Sequence, residues 1–284
     1  DIVVTARRTE ETLQDIPASV SAITGDDVAR MDSLGDVQSL VSGVTFQTVG
    51  PIPAVGIRGF GNRTSAGNPS NTAVGIFQDG VFVIPTLSTV INRTDTTRVE
   101  VAKGPQSTLY GRSSFAGAIN IATADPTSDF SGYVSAGYGF GAVGGENMWH
   151  VQGAVSVPLS DTLSVRLYGL VEDRQGYVFD RVTGNRSGGY DRQVGRIKIL
   201  WEPSDAVEAR LSAAIYRDDL PFPFVTAGRV RPPLGQGILF ANPLSAAARG
   251  ALRFGDNVWD GTIVTTPRNK IEGEQVTLDL RFET

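Results

Sequence analysis

The chain has 284 residues, a net charge of -5, 33 glycines, one histidine and no cysteine. The missing cysteine excludes a disulfide frame, a thiolate zinc site and a thiol nucleophile. A lone His150 excludes an HExxH metal site and leaves one residue through which a Ser-His-Asp triad could run. The acidic balance speaks against a nucleic-acid partner, and no run approaches the ~18 apolar residues of a membrane helix.

The chain opens Asp1-Ile2-Val3-Val4 without a visible signal peptide, as a processed protein is expected to. Ile2 to Thr5 and Ser19 to Ile23 are short β-prone runs. Thr24 with Asp27 three residues on has the form of a capping box, predicting a short helix through Val28 and Met31. Gly35 interrupts it, and Asp36 to Val41 predicts a second short helix. Val55 to Arg58 reads as extended, and residues 61–71 (GNRTSAGNPSN) as a polar loop. Val74 to Gln78 and Val81 to Ile84 flank Asp79-Gly80, a strong hairpin signal. Arg98 to Ala102 and Ala118 to Thr123 complete a small α+β unit that ends at Pro126.

After Pro126 the pattern alternates with period two. Six strands are predicted, around Val134–Phe140, Trp149–Val157, Leu163–Val171, Arg196–Trp201, Val207–Tyr216 and Val276–Phe282. Most reach roughly 10 residues, the length that crosses a bilayer at a tilt. Tight turns at Pro158 to Asp161 and Pro203 to Asp205 alternate with long connections at Gly176 to Gly189 and Leu220 to Gly273. That asymmetry, with Trp149 and Trp201 near strand ends, suits an outer-membrane barrel better than a soluble sandwich of shorter strands. Arg166, Arg196, Lys198, Arg210 and Arg281 fall on the polar face, as for a wet lumen; Arg166 and Lys198 are expected to tolerate alanine, whereas Arg at Val165 or Ile199 should impair assembly.

Four segments then carry a resemblance. Residues 1–6 (DIVVTA) resemble the TonB box of the TonB-dependent outer-membrane receptors. IRGF at 57–60 and VGIFQDGV at 74–81 are similar to plug segments of that family. RVEVAKGPQSTLYG at 98–111, followed by GAINI at 117–121, resembles the plug pattern RVEVLKGPQGTLYGRNAxGGAINI, with Ala102, Ser107 and Ala116 as departures. The implied fold is mainly β: a small α+β plug over residues 1–126, followed over 127–284 by the first antiparallel strands of a transmembrane β-barrel. Six strands cannot close a barrel, and a 22-stranded one at this spacing needs roughly 570 residues. The chain is therefore expected to be an N-terminal fragment.

The resemblance implies TonB-dependent transport across the bacterial outer membrane, with TonB, its ExbB-ExbD complex, outer-membrane lipid and a ferric siderophore as partners. Cobalamin, haem, a nickel chelate or an oligosaccharide are alternative ligands, and a soluble β-rich binding protein is the rival reading. Asp1, Ile2, Val3, Val4, Thr5 and Ala6 would couple to TonB by strand addition, unless Ile2 to Thr5 is a plain edge strand. Ligand contacts are expected from Asn62, Arg63, Asn68 and Asn71 in one plug loop, and from Phe82, Ile84 and Pro85 beyond the hairpin. The glycines around residues 104–113 do not form a phosphate loop, since Arg112 stands where Lys must be. Arg58 and Glu100 are expected to pair inside the plug, and His150 to be a lumen residue. No enzyme, cofactor or metal site is expected.

Overall fold

A computed structural model describes residues 3–4, 11–12, 19–31, 33–49, 52–61, 73–83, 95–111, 114–141, 147–176, 178–180, 186–221, 260–261 and 268–282. Strands β1 (Val3–Val4) and β2 (Glu11–Thr12) pair antiparallel. β3 (Val20–Thr24) leads into helix α1 (Asp26–Ala29), a 3-10 turn at Leu34–Asp36 and helix α2 (Val37–Leu40). The cap of α1 is Gly25, with φ 59°, and Thr24 closes the strand instead of capping. Thr24 is held in the β3 ladder opposite Arg98, and glycine supplies the left-handed turn. A capping arrangement forms one turn later, where the Asp36 carboxylate accepts the Ser33 N–H at 2.7 Å.

β4 (Val44–Val49), β5 (Ile52–Ile57) and β6 (Phe60–Gly61) make a three-stranded meander. β7 (Val74–Gln78) and β8 (Val81–Phe82) form the hairpin around Asp79-Gly80. β9 (Thr96–Lys103), a single helical turn α3 (Ser107–Tyr110) and β10 (Gly117–Thr123) follow. The plug sheet has the order β3-β9-β10-β7-β8, with β10 parallel to β7. Val37, Val55, Ile57, Ile76, Val101 and Ile119 fill its core. Asp79 (φ 47°) and Gly80 (φ 78°) both lie in the left-handed region, as the type I′ hairpin requires. A Cβ at Gly80 meets no neighbour, so Gly80→Val is expected to act through backbone strain alone. A loss of about 1–2 kcal/mol of plug stability should appear as faster limited proteolysis of the receptor, and Gly80→Asn should cost less.

The second body is one antiparallel sheet. Its strands are β11 (Ser131–Phe140), β12 (Asn147–Ser160), β13 (Leu163–Arg174), β16 (Tyr190–Ser204), β17 (Val207–Pro221) and β19 (Arg268–Phe282), hydrogen-bonded in that order. β14 (Val178–Asp180), β15 (Arg186–Ser187) and β18 (Asp260–Gly261) pair with one another within the long connections. The short connections shrink to Asp161-Thr162 and Asp205-Ala206, because Pro158 and Pro203 are the ends of strands. The last long connection narrows to 222–267: Asp218, Asp219, Lys270 and Glu272 continue the β17–β19 ladder beyond the apolar stretch. Alternation fails as a strand signal there because charged and polar residues occupy both faces.

The sheet is inside out by the standard of a soluble protein. Its apolar face is bare: Val134, Tyr138, Phe140, Val276 and Phe282 are all exposed. Its polar face is covered: Ser156, Arg166, Glu172, Arg192, Arg196, Lys198 and Asp218 are buried. Pairing puts Val134, Gly153, Gly169, Gly195, Ile215 and Glu274 in one cross-sheet row. Toward the long-connection end, apolar outward residues extend past this row to Phe140 on β11, Trp149 on β12 and Val171 on β13. On β16 and β17 they stop at the row, before Gln193 and Arg217, and on β19 they stop one step short of it, at Val276. The boundary thus climbs like a staircase across the strands. Four outward steps of ~6.8 Å over five interstrand spacings of ~4.8 Å correspond to strands tilted by about 45°, as in transmembrane barrels.

Candidate functional site

The buried polar face of the sheet is where the plug is held. Asp95 and Asp79 are two of the three non-glycine residues with positive φ among the described residues, at 59° and 47°. Aspartate tolerates this conformation better than most side chains, so both turns can present a carboxylate to the wall. Asp95 receives Arg166 as a fork, with Nε at 2.6 Å and Nη2 at 2.8 Å. The Tyr133 hydroxyl donates to the same carboxylate at 3.1 Å, and Arg166 Nη1 donates to Ser156 at 2.9 Å. Bidentate charge-assisted pairs of this kind fix orientation as well as distance.

A second anchor lies where the plug chain leaves for the wall. Lys198 Nζ donates to the Thr123 carbonyl at 3.1 Å and to Asp125 at 3.0 Å, and stands 3.4 Å from Asp79. Asp79 in turn accepts the Thr123 N–H at 2.8 Å and its hydroxyl at 2.7 Å, closing the hairpin turn onto the end of β10. The Tyr216 hydroxyl contacts Gln78 at 3.2 Å and accepts Arg196 at 3.1 Å. The plug thus offers carboxylates and the wall offers cations. Arg166 and Lys198, expected on the lumen side to tolerate alanine, are each paired to the plug, so alanine there is expected to spare the barrel but weaken the hold on the plug. Sequence reading missed Asp79, Asp95 and Asp125; the signal available was the cationic wall itself, since charges leaving water need partners.

Inside the plug, Glu100 is held by Arg98 at 2.6 Å and by the Asn120 amide at 3.2 Å, where the sequence suggested Arg58. Arg58 is exposed and sits in a turn with φ 53°, its guanidinium lying near Gly104 beyond the end of β9. His150 lies on the covered face, as a lumen residue should.

Further along the wall, Glu172, Arg192 and Asp218 make a buried network. Arg192 reaches Glu172 at 3.4 Å and Asp218 at 3.2 Å, and Tyr190 donates to Glu172 at 3.0 Å. It ties β13, β16 and β17 together toward the long-connection end.

Of the predicted coupling residues, Val3 and Val4 form β1, paired with Thr12 and Glu11. Asp1, Ile2, Thr5 and Ala6 lie outside the described residues, as do Asn62, Arg63, Asn68, Asn71, Ile84 and Pro85 of the predicted ligand loops. Phe82 is 42% exposed, edge-on to Phe77 at 5.6 Å, and Phe77 packs on Tyr110 at 4.7 Å. The hairpin turn before Phe82 faces the short-turn end of the wall, as the Asp79 contacts require, so β8 starts the climb away from that end.

Comparison with known proteins gives a consistent picture. Residues 12–118 match the family model described as the TonB-dependent Receptor Plug Domain. The pesticin receptor of Yersinia enterocolitica is 30% identical over 219 residues, covering 69% of this chain and 31% of that protein. The iron-regulated outer membrane virulence protein of Vibrio cholerae is 30% identical over 205 residues, covering 66% and 29%. The chain thus spans less than a third of the length of these relatives. Among solved structures, the ferric yersiniabactin uptake receptor FyuA from Yersinia pestis superposes with a TM-score of 0.71 at 20% identity, over 94% of this chain and 38% of that one. That likeness shows a shared fold, a plug followed by antiparallel barrel strands.

Proposed function

We propose that this chain, which belongs to the TonB-dependent receptors of the bacterial outer membrane, takes part in energised uptake of a ferric siderophore. The observation that carries the reading is the inverted sheet, bare and apolar outside, with its covered cationic face clamped onto plug carboxylates. A wall of this kind encloses a polar passage, and a plug held by ion pairs rather than by a shared apolar core is one that can be moved. Support for the ligand class comes from relatives: an iron-regulated protein, and a catecholate siderophore receptor of Escherichia coli that is 32% identical over 121 residues. A vitamin B12 transporter of Vibrio vulnificus, 31% identical over 143 residues, favours cobalamin as the second reading.

In this reading residues 1–126 are the plug and 127–284 the first part of the barrel. Asn62, Arg63, Asn68, Asn71, Phe82 and Pro85 contact the ligand at the outward end. Asp1, Ile2, Val3, Val4, Thr5 and Ala6 pair with TonB, which works with ExbB-ExbD. A knockout strain complemented with the full-length receptor tests the whole: growth on single ferric siderophores, compared with growth on cobalamin, identifies the ligand. Failure on every iron source would refute siderophore uptake.

Coupling has its own test. Deleting residues 1–6, or making Val4→Pro, is expected to abolish energy-dependent accumulation of radiolabelled iron while whole-cell ligand affinity stays within about twofold. Strand addition needs continuous backbone donors, and proline removes one and fixes φ. Normal accumulation in the deletion strain would reduce this segment to a plain structural strand.

A further inference from the structure

A crevice of about 810 Å³ runs between the start of the plug and the inner face of β11, β12 and β13. This lies within the ~300–1,000 Å³ usual for small-molecule sites. Its two sides differ in chemistry. Val28, Met31 and Leu34 give the plug side an apolar patch, beside Thr96 and Thr97. On the wall side Ser135 stands opposite Gln152, and Gly137 opposite His150. A Cβ at position 137 would overlap the imidazole, so the ring lies against bare backbone. His150 makes no hydrogen bond among the described residues, and its Nδ1 is buried without a partner. Gln152 lines the crevice and uses its carbonyl to accept the Tyr168 hydroxyl at 3.2 Å, which leaves its amide N–H groups available as donors. Of the charges that line the crevice, Arg166 and Asp95 neutralise each other at one end, while Glu172, opposite His150 on the same face, is engaged by Arg192 and Tyr190. Buried polar groups are seldom left unmatched, and here three potential donors converge on one preformed space.

We propose that this crevice is an inner ligand subsite, separate from the outward loops. It takes a flat organic molecule with one apolar face and oxygen acceptors along an edge. The Ser135 hydroxyl, an imidazole N–H of His150 and the Gln152 amide donate to those oxygens, while the ring lies on Val28, Leu34 and the Met31 thioether, a favourable sulfur–aromatic contact. The neutralised Arg166–Asp95 pair explains why recognition runs through neutral donors. The inference rests on the uptake reading only for how a molecule arrives there.

The test uses the full-length receptor in detergent, with 2,3-dihydroxybenzamide, a flat neutral molecule with oxygens along one edge, as probe. Residues 1–284 hold no cysteine, so Ala29→Cys on the plug side of the crevice reports local access. The probe is expected to slow maleimide labelling at this position and to leave a lipid-face Val276→Cys control unaffected. His150→Ala or Gln152→Ala should raise the half-protecting concentration about fivefold or more, the weight of one lost hydrogen bond. His150→Asn, which keeps a donor, should retain most of the protection; heat-modifiable gel mobility confirms that each variant is folded. Absent protection, or protection equal in the folded His150→Ala and Gln152→Ala variants, overturns the subsite. Iron uptake in the Ala29→Cys strain separates the two readings: uptake without protection removes the subsite alone, and protection without uptake removes the transport reading alone.

Discussion

An Arg166→Ala receptor is expected to lose its grip on the plug while keeping an intact barrel. Arg166 and Asp95 are 10% and 7% exposed at their side chains; two guanidinium nitrogens reach Asp95, and the third is held by Ser156 of the wall. Removing one member of such a buried pair typically costs about 3–5 kcal/mol, because the other charge stays behind without its partner. The Tyr133 hydroxyl, at 3.1 Å from Asp95, offsets only part of that. The plug should become sensitive to protease in outer-membrane vesicles, and large antibiotics should enter faster, with heat-modifiable mobility of the barrel unchanged. Asp95→Asn added to Arg166→Ala should recover much of the loss by removing the orphaned charge. Lys198→Ala should have a smaller effect, since Asp125 is 45% exposed and can turn to water. Wild-type protease resistance in Arg166→Ala would mean that the plug is held by contacts other than this ion pair.

Comparing sequence with structure shows where pattern reading works. The strands of the wall were legible because bilayer and lumen impose opposite chemistry on successive residues, so Leu163, Val165 and Leu167 alternate with Ser164, Arg166 and Tyr168. Legibility ended where that contrast ends. Above the apolar band Lys270 and Glu272 still pair, with Asp219 and Arg217, yet they read as loop. The Asp79-Gly80 turn was legible because its φ values select those two residues. That the same Asp79 caps Thr123 and meets Lys198 was not, for those partners are 44 residues or more away along the chain. The Thr24 cap failed for a related reason: Thr24 is fixed by Arg98, across the sheet, and local spacing carries no trace of that.

The register also turns a general expectation about lipid-facing residues into a graded one. Leu163, Val165, Leu167, Gly169 and Val171 are the outward apolar positions of β13, which puts Leu167 at their centre, directly opposite Ile197. Both are exposed on the bare face. Leu167→Arg or Ile197→Arg is therefore expected to cost about 2–4 kcal/mol, the penalty for arginine near the bilayer midplane. Val165→Arg, one step nearer the short turns on β13, should cost less, whereas on β16, whose outward apolar stretch runs from Gly195 to Trp201, Ile197→Arg and Ile199→Arg straddle the centre and should cost alike. Gln193→Arg, two steps beyond Ile197 on the same strand, should be nearly neutral, since Gln193 already stands past the apolar stretch. The full-length receptors can be refolded into lipid vesicles across a urea series, with the folded fraction read from heat-modifiable gel mobility. A soluble sandwich would bury this face in a core, and arginine would then be penalised at every apolar position whatever its height. Equal loss at positions 163, 165 and 167 would therefore contradict a membrane wall. A penalty that peaks at 167 on β13 and lower, between 197 and 199, on β16, and fades at 193 would show the hydrocarbon slab crossing the strands along the staircase that their pairing defines.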